Sequence, residues 1–183
     1  MGLVKKLYGL LGLRYLRKKF ITESNIKYYN SKKGSIIKRI REQKHLTVVF
    51  FPMNLSMWKY DDLVGLLLKN PDVTTYIVPL LLPANSMDYN RKLQDEMHEY
   101  FIQKGFPFIN GYDFDAGQWF DPKTLKPDVI YYTQPYNISH KLYKLEHFWD
   151  MSLFMYSPYG IVVEYLEGFY NTLLLNVAHK LFY

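Results

Sequence analysis

Leu46 to Phe51, LTVVFF, limits more than any other stretch the folds open to this chain. The run is apolar throughout, rich in β-branched and aromatic residues, preceded by a basic polar segment and ended by Pro52. A strand with no polar face has none to leave in water, so it is buried on both sides, as in a parallel sheet covered by helices. Pro52-Met53-Asn54-Leu55 then forms a short loop, Ser56 offers a helix cap, and Trp58, Leu63, Leu66 and Leu67 recur in a helical pattern. In open α/β sheets ligands bind beyond the carboxyl ends of strands. The loop carrying Asn54, Ser56 and Trp58 is therefore a first place to look for function, beside the plainer reading of a βα connection with Trp58 in the core.

The same alternation repeats down the chain. Val73 to Leu82 reads as a second strand that stops near Pro79, because proline cannot donate to a central ladder. Asn85 or Ser86 caps a helix over Asp88 to Lys104, with Leu93, Met97, Tyr100 and Phe101 on one side and Gly105 as its C′ residue. Phe106 to Ile109, Val129 to Tyr132 and Ser152 to Tyr156 read as three more strands. Strands alternating with helices through right-handed crossovers give a Rossmann-like, doubly wound parallel sheet of about five strands, in an order resembling 3-2-1-4-5. Two further polar loops follow carboxyl ends: Gln134 to Asn137, and Ser157 to Gly160. All three loops are expected along one edge of the sheet, as one wall of a cleft. Tyr136 and Tyr159 present hydroxyls there, Gln134, Asn137 and Asn54 hydrogen-bond a ligand, and Gly160 leaves room for its close approach. The competing reading has Pro135 and Pro158 merely stopping strands while both tyrosines pack inside.

Charge divides the chain. Residues 1–44 hold thirteen Lys and Arg against Glu23 and Glu42, whereas the whole chain of 183 residues nets only +6. Such asymmetry marks an interaction surface. Residues 1–44 are accordingly read as a basic helical leader and residues 45–183 as the Rossmann-like domain. Within the leader, Leu3, Leu7, Leu10 and Leu11 are flanked by Lys5, Lys6, Arg14, Arg17 and Lys18. A basic amphipathic helix of this kind lies on anionic membrane surfaces. Docking on the domain, or on a partner domain, is the alternative. Thr22 to Asn25 is expected to break the leader, and a second helix with Ile36, Ile37 and Ile40 to pack beside the first strand. No groove-reading motif or zinc-ligand pattern accompanies the charge, so nucleic acid is not expected.

Several chemistries lack their motifs. There is no cysteine, hence no thiolate metal site or thiol nucleophile. Neither GxGxxG nor a phosphate-binding P-loop occurs, and no cofactor is implied. Asp113, Asp115 and Asp121 fit no calcium-loop spacing, so no metal is assigned. Of five histidines, His140 and His147 lie just beyond the Gln134 loop, and His140 is the candidate proton acceptor.

The blocks FFPMNLSMWKYDDL, KPDVIYYTQPYN, MYSPYGI and YNTLLLNVAHKLFY together resemble the amino-terminal half of bacterial CDP-glycerol glycerophosphotransferase-like proteins. The resemblance covers about residues 36–183. It implies half of a GT-B fold and membership in a class of transferases that build teichoic-acid-type cell-wall polymers. In such enzymes the amino-terminal half meets a lipid-linked or polymeric acceptor, and a carboxyl-terminal half, expected beyond Tyr183, binds the CDP-activated donor. A cytoplasmic protein, peripheral on the inner face of the membrane, is implied. Where better-known members carry His-Gly-Thr, this chain has Ser157-Pro158-Tyr159-Gly160, which leaves the catalytic base open. Two rival readings use the same fold: a non-catalytic binding module, and the amino-terminal half of a sugar-nucleotide glycosyltransferase.

Overall fold

The computed structural model describes residues 2–136, 138–157 and 172–181, with side chains described from residue 22 to residue 179 of that set. Its centre is the strand β1 (Leu46–Phe51), flanked by β2 (Val73–Ile77) on one side and β5 (Val129–Tyr132) on the other. β6 (Leu153–Tyr156) lies beyond β5, and the two-residue β7 (Lys180–Leu181) extends that edge. Every pairing in this sheet is parallel. The fold is thus α/β and Rossmann-like, with four strands of four to six residues forming the body of the sheet.

The expected third strand at Phe106 to Ile109 forms only a single parallel bridge, Ile77 to Phe108. Pro107 has no amide hydrogen to contribute to a ladder, and Gly105, with φ of +68°, turns the chain just before it. Even so, the segment runs outside β2, so the spatial order along the sheet is the expected 3-2-1-4-5, with β7 added as a sixth position.

Alternation along each strand sends side chains to two cores. Val48 and Phe50 face α2 (Asp61–Leu67) and α3 (Met87–Gln103), where Tyr60, Val64, Met97 and Phe101 are buried with them. Val49, Phe51, Ile130, Tyr132, Phe154 and Tyr156 face the other way, toward α1 (Gly2–Glu42) and α4 (Leu173–Val177). Helices therefore cover both faces, which is why LTVVFF carries no polar alternation. The turn-rich segment after Ile109 holds a small antiparallel hairpin, β3 (Tyr112–Asp113) with β4 (Gln118–Trp119).

Two expectations about helices are corrected. α1 runs unbroken from Gly2 to Glu42, through Thr22 to Asn25. Neither Gly nor Pro stands in that stretch, and its polar residues cost only a few tenths of a kcal/mol each in a helix. Tyr29 and Ile36 are fully buried in the second core, and Ile26, Ile37 and Ile40 pack against it. α1 meets α4 and β6, and its isoleucines pack against the core that holds Val49 and Phe51 of the first strand, as expected. The helix after β1 starts at Asp61, later than a Ser56 cap implies. Asn54 is the capping residue instead, and it caps a single 3-10 turn, Leu55–Met57, with its side chain accepting from the Met57 amide.

Candidate functional site

The sheet order reverses between β1 and β5, so their carboxyl ends form the crevice where ligands of such sheets bind. Thr133, directly after β5, joins the two loops. Its hydroxyl donates to the Phe51 carbonyl at 3.3 Å and accepts from the Met53 amide at 3.2 Å. The third loop is tied in through Tyr60, whose hydroxyl donates to the Ser157 carbonyl at 3.3 Å. Burial pushes that phenol up to about 12, so it stays a protonated donor. The described parts of the three loops therefore meet on one edge of the sheet.

On the side facing α4, this edge opens into a small cleft of about 20 Å³. Its wall is made by Tyr132, Gln134 and Tyr136 from β5 and its loop, by Ser139 and Lys144 from the chain that follows, and by Leu173 and Leu174 of α4. Gln134 is the central side chain. It is 1% exposed, and its Oε1 accepts from the Tyr136 amide. Its Nε2 has no hydrogen-bond partner among the described residues. A buried amide donor left unpaired costs about 1–3 kcal/mol, so such groups are rare and call for a reason. Two other buried orphan atoms belong to the same segment, His140 Nδ1 and Glu146 Oε2; the fourth among the described residues is Thr75 Oγ1 in β2. The Tyr132 phenol, wholly buried, is raised first by that burial and then by the Glu146 charge.

The remaining candidates are distributed differently. Asn54 turns its Oδ1 back on its own loop, accepting from the Met57 amide at 3.0 Å and from the Ser56 hydroxyl at 2.8 Å. Ser56 is exposed. Trp58 lies in the aromatic layer on the opposite face of the sheet, edge-on to Phe101 with ring centroids 4.7 Å apart and to Phe50 at 5.7 Å. Its Nε1 donates to Asp61 at 2.7 Å. Asp61 also accepts from the Tyr100 hydroxyl and pairs with Lys104, each at 2.7 Å. Burial pushes the Asp61 carboxyl up, but the hydrogen bonds from Lys104, Trp58 and Tyr100 outweigh it and leave the group below its ordinary value. Trp58 thus anchors α2 to α3.

His140 stacks flat on Trp119, centroids 4.3 Å apart and planes 5° off parallel. Burial, and then the positive charges of Lys141 and Lys144, hold it below its ordinary value, so it is neutral at pH 7. Its neighbour Ser139 lines the cleft, but the imidazole is not among the lining groups. His147 is paired with Asp121 at 2.8 Å. Asn137, Tyr159 and Gly160 lie outside the described residues.

Sequence reading passed over Ser139 and Lys144. Lys144 sits in the run KLYKLEH, whose alternating basic and apolar residues mark a short segment with one wet side. Among the described residues no three His, Asp or Glu side chains gather as a metal ion would require. No protein-family model, curated protein or solved structure matches the chain.

Proposed function

We propose that this domain is the acceptor-binding half of a CDP-glycerol glycerophosphotransferase-like enzyme, which transfers a glycerol-phosphate or similar polyol-phosphate unit to a cell-surface polymer or lipid-linked acceptor. The observation that carries the reading is the unpaired Nε2 of Gln134, buried in the wall of the cleft at the point where the strand order reverses. A polyol supplies the oxygen this donor lacks, and Ser139 and Tyr136 line the same wall. Fixed donors of this kind hold an acceptor hydroxyl in line with a diphosphate donor, which is most of what phosphoryl-type transfer asks of the protein.

The basic helix fits a membrane-bound acceptor. Lys27, Lys32, Lys38 and Arg41 are exposed along the described side of α1, and a row of cations next to a membrane favours anionic lipid by about 1 kcal/mol each. No helix among the described residues is long and apolar enough to cross a membrane. A peripheral position on the cytoplasmic face of the membrane is part of this proposal.

Transfer of labelled glycerol phosphate from CDP-glycerol to membrane acceptors tests the function, with the enzyme as expressed from its gene. Gln134→Ala is expected to lower transfer at least about tenfold, the worth of one buried hydrogen bond to substrate, with an unchanged circular dichroism spectrum. Normal transfer by the variant, or no transfer from CDP-glycerol by the wild type, overturns the reading. The second of these outcomes favours a binding module or a different donor.

A further inference from the structure

We propose that the Asn110–Gly111 link, just before the β3–β4 hairpin, is a site of spontaneous deamidation, and that the Tyr143 hydroxyl sets its rate. The modification stands apart from the acceptor reading above and does not depend on it.

The sequence supplies the reactive pair. An asparagine deamidates when the backbone nitrogen of the next residue attacks its side-chain carbonyl carbon, and a following glycine puts no Cβ in the way. Asn110-Gly111 is the single such pair among the 183 residues. Asn110 is exposed. The backbone amides of Asn110 and Gly111 have no acceptor among the described residues. The attacking nitrogen is therefore not tied up in a hydrogen bond.

The fold pins both flanks of the pair. Before it, the Ile109 amide donates to the Ile77 carbonyl at 2.9 Å. After it, the Tyr112 amide donates to the buried Gln94 side chain at 3.0 Å. The Gly111 carbonyl accepts from the Tyr143 hydroxyl at 2.9 Å and from the Phe120 amide at 3.0 Å. Gly111 is packed so closely that a Cβ there would lie 2.5 Å from the Pro79 carbonyl oxygen and 3.2 Å from the Tyr143 hydroxyl. The pair bends toward a ring only when Gly111 loosens, and Tyr143 is the side chain that holds it. Local openings of this kind set the rate of reaction at protected positions.

In the reaction the Gly111 nitrogen gives its proton to a base in solution and bonds to Asn110 Cγ. The Cγ–Nδ2 bond breaks, and that nitrogen leaves as ammonia. Water then opens the five-membered imide at either carbonyl and leaves aspartate or isoaspartate. Isoaspartate adds one carbon to the main chain between two pinned points. With Pro79 against Gly111 on one side, the added length bears on the contact with Tyr143. Tyr143 lines the cleft, and its carbonyl accepts from the Tyr132 hydroxyl at 2.8 Å. Conversion at Asn110 therefore reaches the cleft wall.

Peptide mapping by mass spectrometry tests this, on the intact protein incubated at mildly alkaline pH. Wild type is expected to accumulate aspartate and isoaspartate at Asn110 while folded, and faster when unfolded in urea. Tyr143→Phe keeps the ring and removes the hydroxyl. It is expected to speed conversion of the folded protein about fivefold, the worth of one neutral hydrogen bond. Hydrogen exchange of the β1 amides, followed on the same samples, is expected to stay unchanged. No conversion at Asn110 in the folded protein, while the unfolded chain converts, overturns the site. Equal rates in wild type and Tyr143→Phe overturn the control by Tyr143. Acceleration matched by an equal loss of β1 protection overturns it too, because global unfolding then accounts for the rate.

Discussion

The two ends of the parallel sheet are finished in opposite ways. At the amino edge, polar groups close on one another. Asp128, whose side chain is 7% exposed, pairs with Arg39 at 2.6 Å and accepts from the Thr47 amide at 2.9 Å. Arg39 also donates to the Met151 carbonyl, the Ser152 hydroxyl to the Pro127 carbonyl, and the Tyr29 hydroxyl to the Ser152 carbonyl. α1 is thereby stitched to the starts of β1, β5 and β6. At the carboxyl edge the loops are tied by Thr133 and Tyr60, yet Gln134, His140 and Glu146 each keep a buried atom without a partner among the described residues. Since unsatisfied buried groups cost stability, the contrast separates an edge whose polar groups satisfy one another from an edge where some are left over among the described residues.

The largest effect should come from the stabilising edge. Tyr29→Ala removes a fully buried ring and its hydrogen bond. It is expected to lower unfolding free energy by about 3 kcal/mol, read from urea denaturation. A loss under about 1 kcal/mol would mean that α1 is not part of the core. Next comes Arg39→Met, which strips Asp128 of its partner. Breaking a buried pair costs about 3–5 kcal/mol, but Arg39 is 44% exposed on its side chain, so about 2 kcal/mol is expected. Adding Asp128→Asn should recover part of that loss, because the uncompensated charge goes with it; no recovery would show that the pair does not pin the edge.

At the open edge, Gln134→Met should change the stability of the unliganded protein by less than about 1 kcal/mol. Losing the bond to the Tyr136 amide is offset by removing the orphaned Nε2. A large destabilisation would place Gln134 with the stabilising residues and erase the contrast. The smallest effect concerns His140. With its folded pKa below the ordinary 6.5, the unfolded chain binds the proton more readily. The stabilisation by neutral His140 is therefore complete above pH 6.5 and is lost as pH falls through the lowered folded value. His140→Gln should flatten the stability profile in that window, and NMR titration of the ring should show a midpoint below 6.5. A midpoint at or above 6.5 would contradict the burial and the flanking lysines as its controls.

Most of the sheet was legible because buried parallel strands write themselves as apolar runs. LTVVFF, VIYY and LFMY became β1, β5 and β6 within a residue of their expected limits. The Ser86 cap and the Gly105 terminator also bracket α3 as local rules predict. What local pattern does not encode is tertiary partnership. Tyr29 looks like one tyrosine among eighteen, and only the position of β6 and α4 makes it a core residue. Thr22 to Asn25 resembled a break because its polar residues favour turns in isolation, yet packing further along α1 carries the helix through. For the site, the carboxyl-edge rule located the loops, but it could not tell that Trp58 faces the far side of the sheet or that Asn54 is consumed by its own turn. Lys144 comes to the cleft through a fold-back of the chain after Ser139, which no spacing rule encodes.

The most direct test of the open-edge account follows the side-chain amide of Gln134 by nitrogen-15 NMR while glycerol 3-phosphate is added. The account predicts that the Gln134 Nε2 resonances shift and saturate with the ligand and become protected from solvent exchange, while the Arg39 guanidinium signals stay in place. Unmoved Gln134 resonances at saturating ligand, or shifts confined to the Arg39 edge, would contradict it.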